Sequence, residues 1–229
     1  MPRLLDLFSG AGGAAMGYHH AGFDVVGVDA RPQPNYPFEF HQGDALEFLE
    51  ARGREFDAIH ASPPCQAFTQ MSARYRGKGG KADSHPNLLT PFLQRLRDAR
   101  VPMVVENVPG AARVYEQFRD RCSIVTLRGG MFGLGVHRPR LFASNVLLLE
   151  PSWSPRTREP IGVYGHKPDG RTLWRRNNVS IIRAAKSVEE ARAAMGIDWM
   201  AWDEIREAIP PAYTEFLGRQ LMRYLRVHA

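Results

Sequence analysis

Lysine is nearly missing from this chain: Lys78, Lys81, Lys167 and Lys186 stand against 26 arginines. Cysteine is scarcer still, with only Cys65 and Cys122. Two thiols cannot build a disulfide framework, so a reducing, cytoplasmic setting is expected. Long hydrophobic runs are lacking too, and none approaches the ~20 residues of a membrane span. The opening Met1-Pro2-Arg3-Leu4-Leu5-Asp6 meets an acid too early for a secretory leader. These absences argue against a secreted, fibrous or membrane-embedded protein. What is there is ordinary for a folded chain: 229 residues, 44% hydrophobic and 24% charged, enough to bury one sizeable core. The net charge is +6. An arginine-dominated excess fits either a GC-rich coding bias or a polyanionic partner, because a guanidinium grips phosphates and guanine edges bidentately.

The chain alternates strands and helices over its first two thirds. Leu4, Leu5, Leu7 and Phe8 form an apolar run that breaks at Ser9-Gly10-Ala11-Gly12-Gly13. A helix follows over 14–21, then a buried strand ending at Asp29. Strand, glycine turn, helix, strand is the start of a doubly wound α/β sheet. Further strands are predicted at 56–61 and 103–105, with a helix between them from Leu88, Leu89, Phe92, Leu93 and Leu96. Residues 150–186 differ: they are rich in Pro, Trp and Arg, with weak periodicity. Helical patterning returns at 188–195 and 210–227. The expected organisation is an α/β core over 1–145, a basic insert over 146–195, and a C-terminal helix returning to the core within 196–229.

Four segments carry chemistry. Gly10-x-Gly12-x-x-Ala15 fits a loose dinucleotide fingerprint, and Asp29 ends the next strand, where an acid takes ribose hydroxyls. Asp44 falls where a third strand should end, either to reach an adenine amino group or to cap the following helix. Ser62-Pro63-Pro64-Cys65-Gln66 follows a strand, and its prolines hold Cys65 in a rigid loop, the setting of a nucleophile rather than a packed thiol. Cys122 reads as a small core hydrophobe. In Val104-Val105-Glu106-Asn107-Val108, a carboxyl at an apolar strand end is inclined to hold a proton. In His137-Arg138-Pro139-Arg140, alternation puts both guanidinium groups on one face of an extended segment.

In order and setting these segments resemble the C5-cytosine DNA methyltransferases. Asp6-Leu7-Phe8-Ser9-Gly10-Ala11-Gly12-Gly13 is similar to that family's opening motif, Pro63-Pro64-Cys65-Gln66 to its nucleophile loop, and Glu106-Asn107-Val108 to its Glu-Asn-Val motif. Arg138-Pro139-Arg140 resembles the end of its Gln-x-Arg-x-Arg motif. The chain departs from the family twice. No glutamine stands in the expected place before Arg138, and Arg206-Glu207-Ala208-Ile209-Pro210-Pro211 replaces Gly-Asn-x-Val-Pro-Pro. The target-recognition region is also reduced, to roughly 145–195.

The resemblance implies a Rossmann-like methyltransferase sheet with helices on both faces and a small irregular basic insert. It implies transfer of a methyl group from S-adenosyl-L-methionine to C5 of a flipped-out cytosine through a covalent adduct between Cys65 and C6. The family's pattern makes Cys65, Glu106, Arg138 and Arg140 catalytic. It assigns the cofactor to Asp6, Phe8, Ser9, Gly10, Ala11, Gly12, Gly13, Asp29, Ala30, Asp44, Ala45 and Pro64. Contacts to DNA are expected from Gln66, from a basic loop bearing Arg74, Arg76, Lys78 and Lys81, and from Arg171, Arg175 and Arg176 in the insert. The implied partner is double-stranded DNA, read by a monomer in a bacterial or phage-infected cell, with no metal and no membrane. Three alternatives are an RNA cytosine-5 methyltransferase, an NAD-dependent oxidoreductase and a nucleic-acid-binding homologue with impaired catalysis. The oxidoreductase would leave the Pro-Pro-Cys and Glu-Asn-Val segments unexplained.

Overall fold

The computed structural model describes residues 1–64, 87–96, 98–152, 160–176 and 179–228. Its central sheet is assembled from seven short strands: β1 Arg3–Leu7, β2 Asp24–Asp29, β3 Glu39–Gln42, β4 Ala58–Ala61, β5 Met103–Asn107, β6 Ser123–Leu127 and β7 Arg140–Ser144. Their order is β3-β2-β1-β4-β5-β7-β6. All run parallel except β7, which lies antiparallel between β5 and β6. Strand order reverses beside β1, with β2 on one flank and β4 on the other, and such a switch point leaves a crevice at the carboxyl ends of the strands.

Both faces are covered, so each strand sends alternate apolar residues to two different cores. Leu4, Val25, Ala58, Val104 and Phe142 pack with helix α1 (Gly13–His20) and the C-terminal helix α7 (Pro211–His228). Leu5, Leu7, Val26, Ile59, Val105 and Ala143 pack on the other face. There they meet α3 (Leu89–Leu96), which buries Leu89, Phe92, Leu93 and Leu96 at the spacing of one helical face. Helices α2 (Ala45–Arg52) and α4 (Ala112–Glu116) add Ala45 and Tyr115 to that side.

Close contact between α1 and α7 depends on Gly17. A Cβ there would stand 2.1 Å from the Pro211 carbonyl oxygen and 2.1 Å from Thr214 Oγ1. The C-terminal segment thus packs directly on the first helix.

The insert is more regular than its composition implied. It forms a second sheet of β8 Ile161–Gly162, β10 Val179–Ala184 and β9 Thr172–Arg176, in that order. A register irregularity around Ile182 shifts the pairing of β9 and β10, which disturbs the two-residue alternation by which a strand is recognised. Backbone bonds from His137 N to Ile161 O (2.8 Å) and from Ile161 N to Gly135 O (2.9 Å) tie this sheet to the segment leading into β7. A third core joins the two: Val136, Ile161, Val163 and Ala185 meet α5 (Val188–Met195) and α6 (Trp202–Ile205). No described helix is long and apolar enough to cross a membrane.

Candidate active site

The carboxyl edge of the sheet gathers the ends of β1, β2, β4 and β5, and antiparallel β7 begins at that same edge. The glycine turn after β1 needs left-handed backbone, with φ of 49° at Gly10 and 84° at Gly12, which glycine adopts without a Cβ penalty. Phe8 shares that conformation at φ 58° and packs edge-on against Phe92. Asp29, at the end of β2, accepts Gly10 N–H on Oδ2 (3.0 Å) and Arg31 N–H on Oδ1 (2.9 Å), pinning the turn. Asp44 caps α2 through Oδ1, which accepts from Leu46 N (2.8 Å) and Glu47 N (3.0 Å). The capping reading of Asp44 is therefore realised, and its other oxygen is left over.

A Cβ built on Gly10 would meet nothing within 4 Å. The turn thus faces open space at a helix N-terminus, flanked by two carboxylates that still have acceptor capacity. That cradle suits an adenosine-bearing ligand with hydroxyl and amino donors. Ser9, Ala11, Gly12 and Gly13 build the buried floor of the turn, and Ala11 O accepts from Trp199 Nε1 at 2.9 Å. Ala30 is exposed beyond Asp29, Ala45 opens α2, and Pro64 is exposed. Asp6 differs from these in lying beneath the turn with 0% exposure, neither oxygen hydrogen-bonded within the described residues. Burial, reinforced by the like charge of Asp29, holds its carboxyl well above the usual carboxylate range against the opposing pull of the Tyr36 hydroxyl.

Glu106 and Arg140 form the charged centre. Arg140 Nε lies 2.8 Å from Glu106 Oε1, and both side chains are below 10% exposed. Burial raises the Glu106 pKa, while Arg140, Arg138 and the Ser62 hydroxyl pull it back down. Asn107 serves the backbone instead. Its Nδ2 donates to Pro63 O at 2.9 Å, and its Oδ1 accepts from Val108 N at 3.0 Å. The Glu-Asn-Val segment thereby holds the backbone of the loop leading into Cys65.

The two arginines, expected to share a face, have separate duties. Arg138 is 1% exposed and donates to Arg206 O (2.7 Å), Ala208 O (3.0 Å) and Val163 O (3.1 Å). It therefore clamps the segment that departs from the family's Gly-Asn pattern. Tyr213 Oη donates to Arg138 O at 2.8 Å and secures the other side of the clamp. Cys65, Gln66, Arg74, Arg76, Lys78 and Lys81 lie outside the described residues. Arg171 is exposed beside Asp169, and Arg175 and Arg176 lie on β9. Cys122 keeps its packing role: its Sγ donates to Phe118 O, and burial pushes the thiol up to about 11.

Sequence reasoning missed His60. It sits in β4 with 0% exposure, bonded through Nδ1 to Tyr18 Oη (3.0 Å) and through Nε2 to Ser62 Oγ (2.7 Å). Burial lowers its pKa to about 3, so the ring is neutral. A histidine inside the strand Ala58-Ile59-His60-Ala61 was the available signal. No group of His, Cys, Asp and Glu among the described residues could hold a metal ion.

Comparison with known proteins supplies the context for this edge. The family model described as C-5 cytosine-specific DNA methylase matches residues 2–117. Type II methyltransferase M.AquIA of Picosynechococcus sp. is 33% identical over 127 residues, covering 47% of this chain and 49% of that protein. Type II methyltransferase M.HgiGI of Herpetosiphon aurantiacus is 30% identical over 129 residues, covering 50% of this chain and 98% of that one. The chain spans about half or less of the length of the first relatives it matches. Among solved structures, S. pombe Dnmt2 methyltransferase aligns over 98% of this chain and 99% of its own, with TM-score 0.61 and 13% identity. A triple mutant of Spodoptera frugiperda DNMT2 aligns over 97% and 100%, with TM-score 0.64 and 15% identity. These two likenesses establish the fold.

Proposed function

The chain belongs to the C-5 cytosine-specific DNA methylase family, and on that premise we propose that it transfers a methyl group from S-adenosyl-L-methionine to C5 of a cytosine in duplex DNA. One observation carries this reading. The buried Glu106–Arg140 pair stands at the same sheet edge as the Pro63-Pro64 loop that leads into Cys65, and Asn107 fastens the two together.

When bound, S-adenosyl-L-methionine supplies an electrophilic methyl carbon. Gly10, Gly12, Asp29 and Asp44 would hold it, since their open cradle and free acceptor capacity match its donors. The chain's own residues do the rest. Cytosine C5 is a poor nucleophile, so the Cys65 thiolate adds to C6 and the electron pair of the C5=C6 bond moves into the ring. Glu106 hydrogen-bonds the N3/N4 edge where that charge collects, in a site dry enough for the bond to count. Arg140 fixes the Glu106 carboxyl. After C5 has been methylated, loss of the C5 proton and expulsion of Cys65 restore the aromatic ring and the free thiol.

A base stacked in a duplex cannot reach this edge, so the nucleotide is flipped out. The basic loop bearing Arg74, Arg76, Lys78 and Lys81 and the arginines at 171, 175 and 176 are the proposed contacts to the phosphates. The test is methyl incorporation from labelled cofactor into mixed-sequence duplex DNA. Wild type should transfer label to C5 of cytosine, while Cys65→Ser and Glu106→Gln should not. Label entering RNA alone would overturn the choice of DNA, and undiminished turnover by Cys65→Ser would overturn the nucleophile.

A further inference from the structure

A buried polar chain runs from Tyr18 of α1 through His60 to Ser62, one residue past the end of β4, and its polarity is fixed by what surrounds it. Tyr18 is fully buried, and His60 Nδ1 at 3.0 Å is its only side-chain hydrogen-bond partner among the described residues. The nearby Asp6 carboxyl has no hydrogen bond from Tyr18, and the hydroxyl that acts on it is that of Tyr36. A buried hydroxyl hydrogen without an acceptor is costly, so the Tyr18 proton goes to Nδ1. Neutral imidazole has one donor and one acceptor. With Nδ1 accepting, the ring proton sits on Nε2 and is donated to Ser62 Oγ at 2.7 Å. The Ser62 hydroxyl hydrogen therefore cannot point back at His60. It is free for the Glu106 carboxyl, since Ala61 pairs with Val105 and the parallel register sets Ser62 beside Glu106, where the hydroxyl favours the charged form of the carboxyl.

Resting on the catalytic reading above, we propose that His60, locked by Tyr18, is a positioning residue that turns the Ser62 hydroxyl onto Glu106 and so orients the carboxyl against the cytosine ring. Neither His60 nor Tyr18 touches substrate in this scheme. Ser62 links them to the site, directly ahead of the Pro63 carbonyl that Asn107 holds. Around Glu106 stand Arg140 of β7, Arg138 just before it, Ser62 of the nucleophile loop, Tyr18 of α1 and Tyr115 of α4. Around His60 stand Tyr18, Ser62 and, as its register partner on β1, Asp6.

The experiment compares Tyr18→Phe, Ser62→Ala and Ser62→Thr with wild type for kcat, KM for DNA and the pH profile. Removing the Tyr18 hydroxyl or the Ser62 hydroxyl should lower kcat on the order of ten- to a hundredfold, the scale of a misplaced catalytic group. KM for DNA should not move. Ser62 lowers the Glu106 pKa, so in Ser62→Ala the limb of the profile set by Glu106 should shift to higher pH. Ser62→Thr, which keeps the hydroxyl, should restore both. Unchanged kcat and an unmoved limb in Ser62→Ala, with wild type active, would overturn the relay and leave the enzyme reading intact. Spectra of ¹⁵N-histidine test the relay without turnover. A neutral ring protonated on Nε2, becoming mixed in Tyr18→Phe, supports it, and a proton on Nδ1 overturns it. Wild type that methylates nothing would sink the catalytic reading instead, while the spectra still decide the polarity.

Discussion

Replacing Gly17 by alanine sets two opposed effects against each other at one position. Gly17 lies inside α1, and an alanine in a helix interior is favoured over glycine by about 1 kcal/mol. Against this, a Cβ at 17 would stand 2.1 Å from Pro211 O, 2.1 Å from Thr214 Oγ1 and 2.6 Å from Glu215 N. Two of those three atoms are backbone at the start of α7, so no side-chain rotation relieves the clash. The helices must separate, which also strains the Thr214 Oγ1 bond to Ala14 O at 2.8 Å. Overpacking a tight core costs about 1–3 kcal/mol where side chains can adjust. With backbone in the way the upper end applies, and the loss exceeds the propensity gain. Gly17→Ala should therefore be destabilised by about 2 kcal/mol net, lowering Tm by about 4–8 °C for a chain of this length. Gly43→Ala is the control, since its Cβ would meet nothing within 4 Å and its stability should hold. Urea unfolding of the three proteins checks this. A Gly17→Ala midpoint at or above that of wild type would refute the close-packing argument.

Arg138→Lys keeps the charge but loses the planar fork that serves three carbonyls. Destabilisation of about 3 kcal/mol is expected, with faster hydrogen exchange confined to 206–209, and full retention of stability would refute the clamp. His60 has a folded pKa of about 3 against 6.5 for a free imidazole, so stability is lost as pH falls from about 6.5 toward 3. His60→Gln should escape that loss, gaining on the order of 4 kcal/mol relative to wild type by pH 3; parallel acid-unfolding curves would argue against burial of a neutral ring. Asp6 has the opposite sign: its raised carboxyl pKa favours the folded state at low pH, and this contribution fades as pH climbs through the folded value. Asp6→Asn should therefore gain stability relative to wild type with increasing pH in denaturant titrations, and a difference that does not change with pH would contradict it.

The residues that were legible in the sequence are those whose role follows from strand ends. Gly10, Gly12 and Asp29 could be placed because an apolar run, a glycine turn and an acid one strand later leave few topologies. Glu106 was legible for the same reason, as a carboxyl ending a run of valines. The charge partner of Glu106 was not fully legible. Arg138 and Arg140 look equivalent by alternation, and only tertiary packing sends Arg138 to the carbonyls of 163, 206 and 208. His60 was hidden because a single polar residue in an apolar strand gives no sign of what faces it. Its partner Tyr18 is 42 residues earlier, on a helix that meets β4 only after the sheet forms. The second sheet was hidden by proline, arginine and a register shift, which together remove the period of two.

The most direct test of the central claim uses duplex DNA carrying 5-fluorocytosine, incubated with the protein and S-adenosyl-L-methionine and analysed by denaturing gel and mass spectrometry. Fluorine at C5 blocks the final elimination, so the account predicts a stable adduct joining Cys65 to the methylated fluorocytosine, absent in Cys65→Ser. An adduct that persists in Cys65→Ser, or none on any duplex sequence when unmodified DNA is methylated, would contradict it.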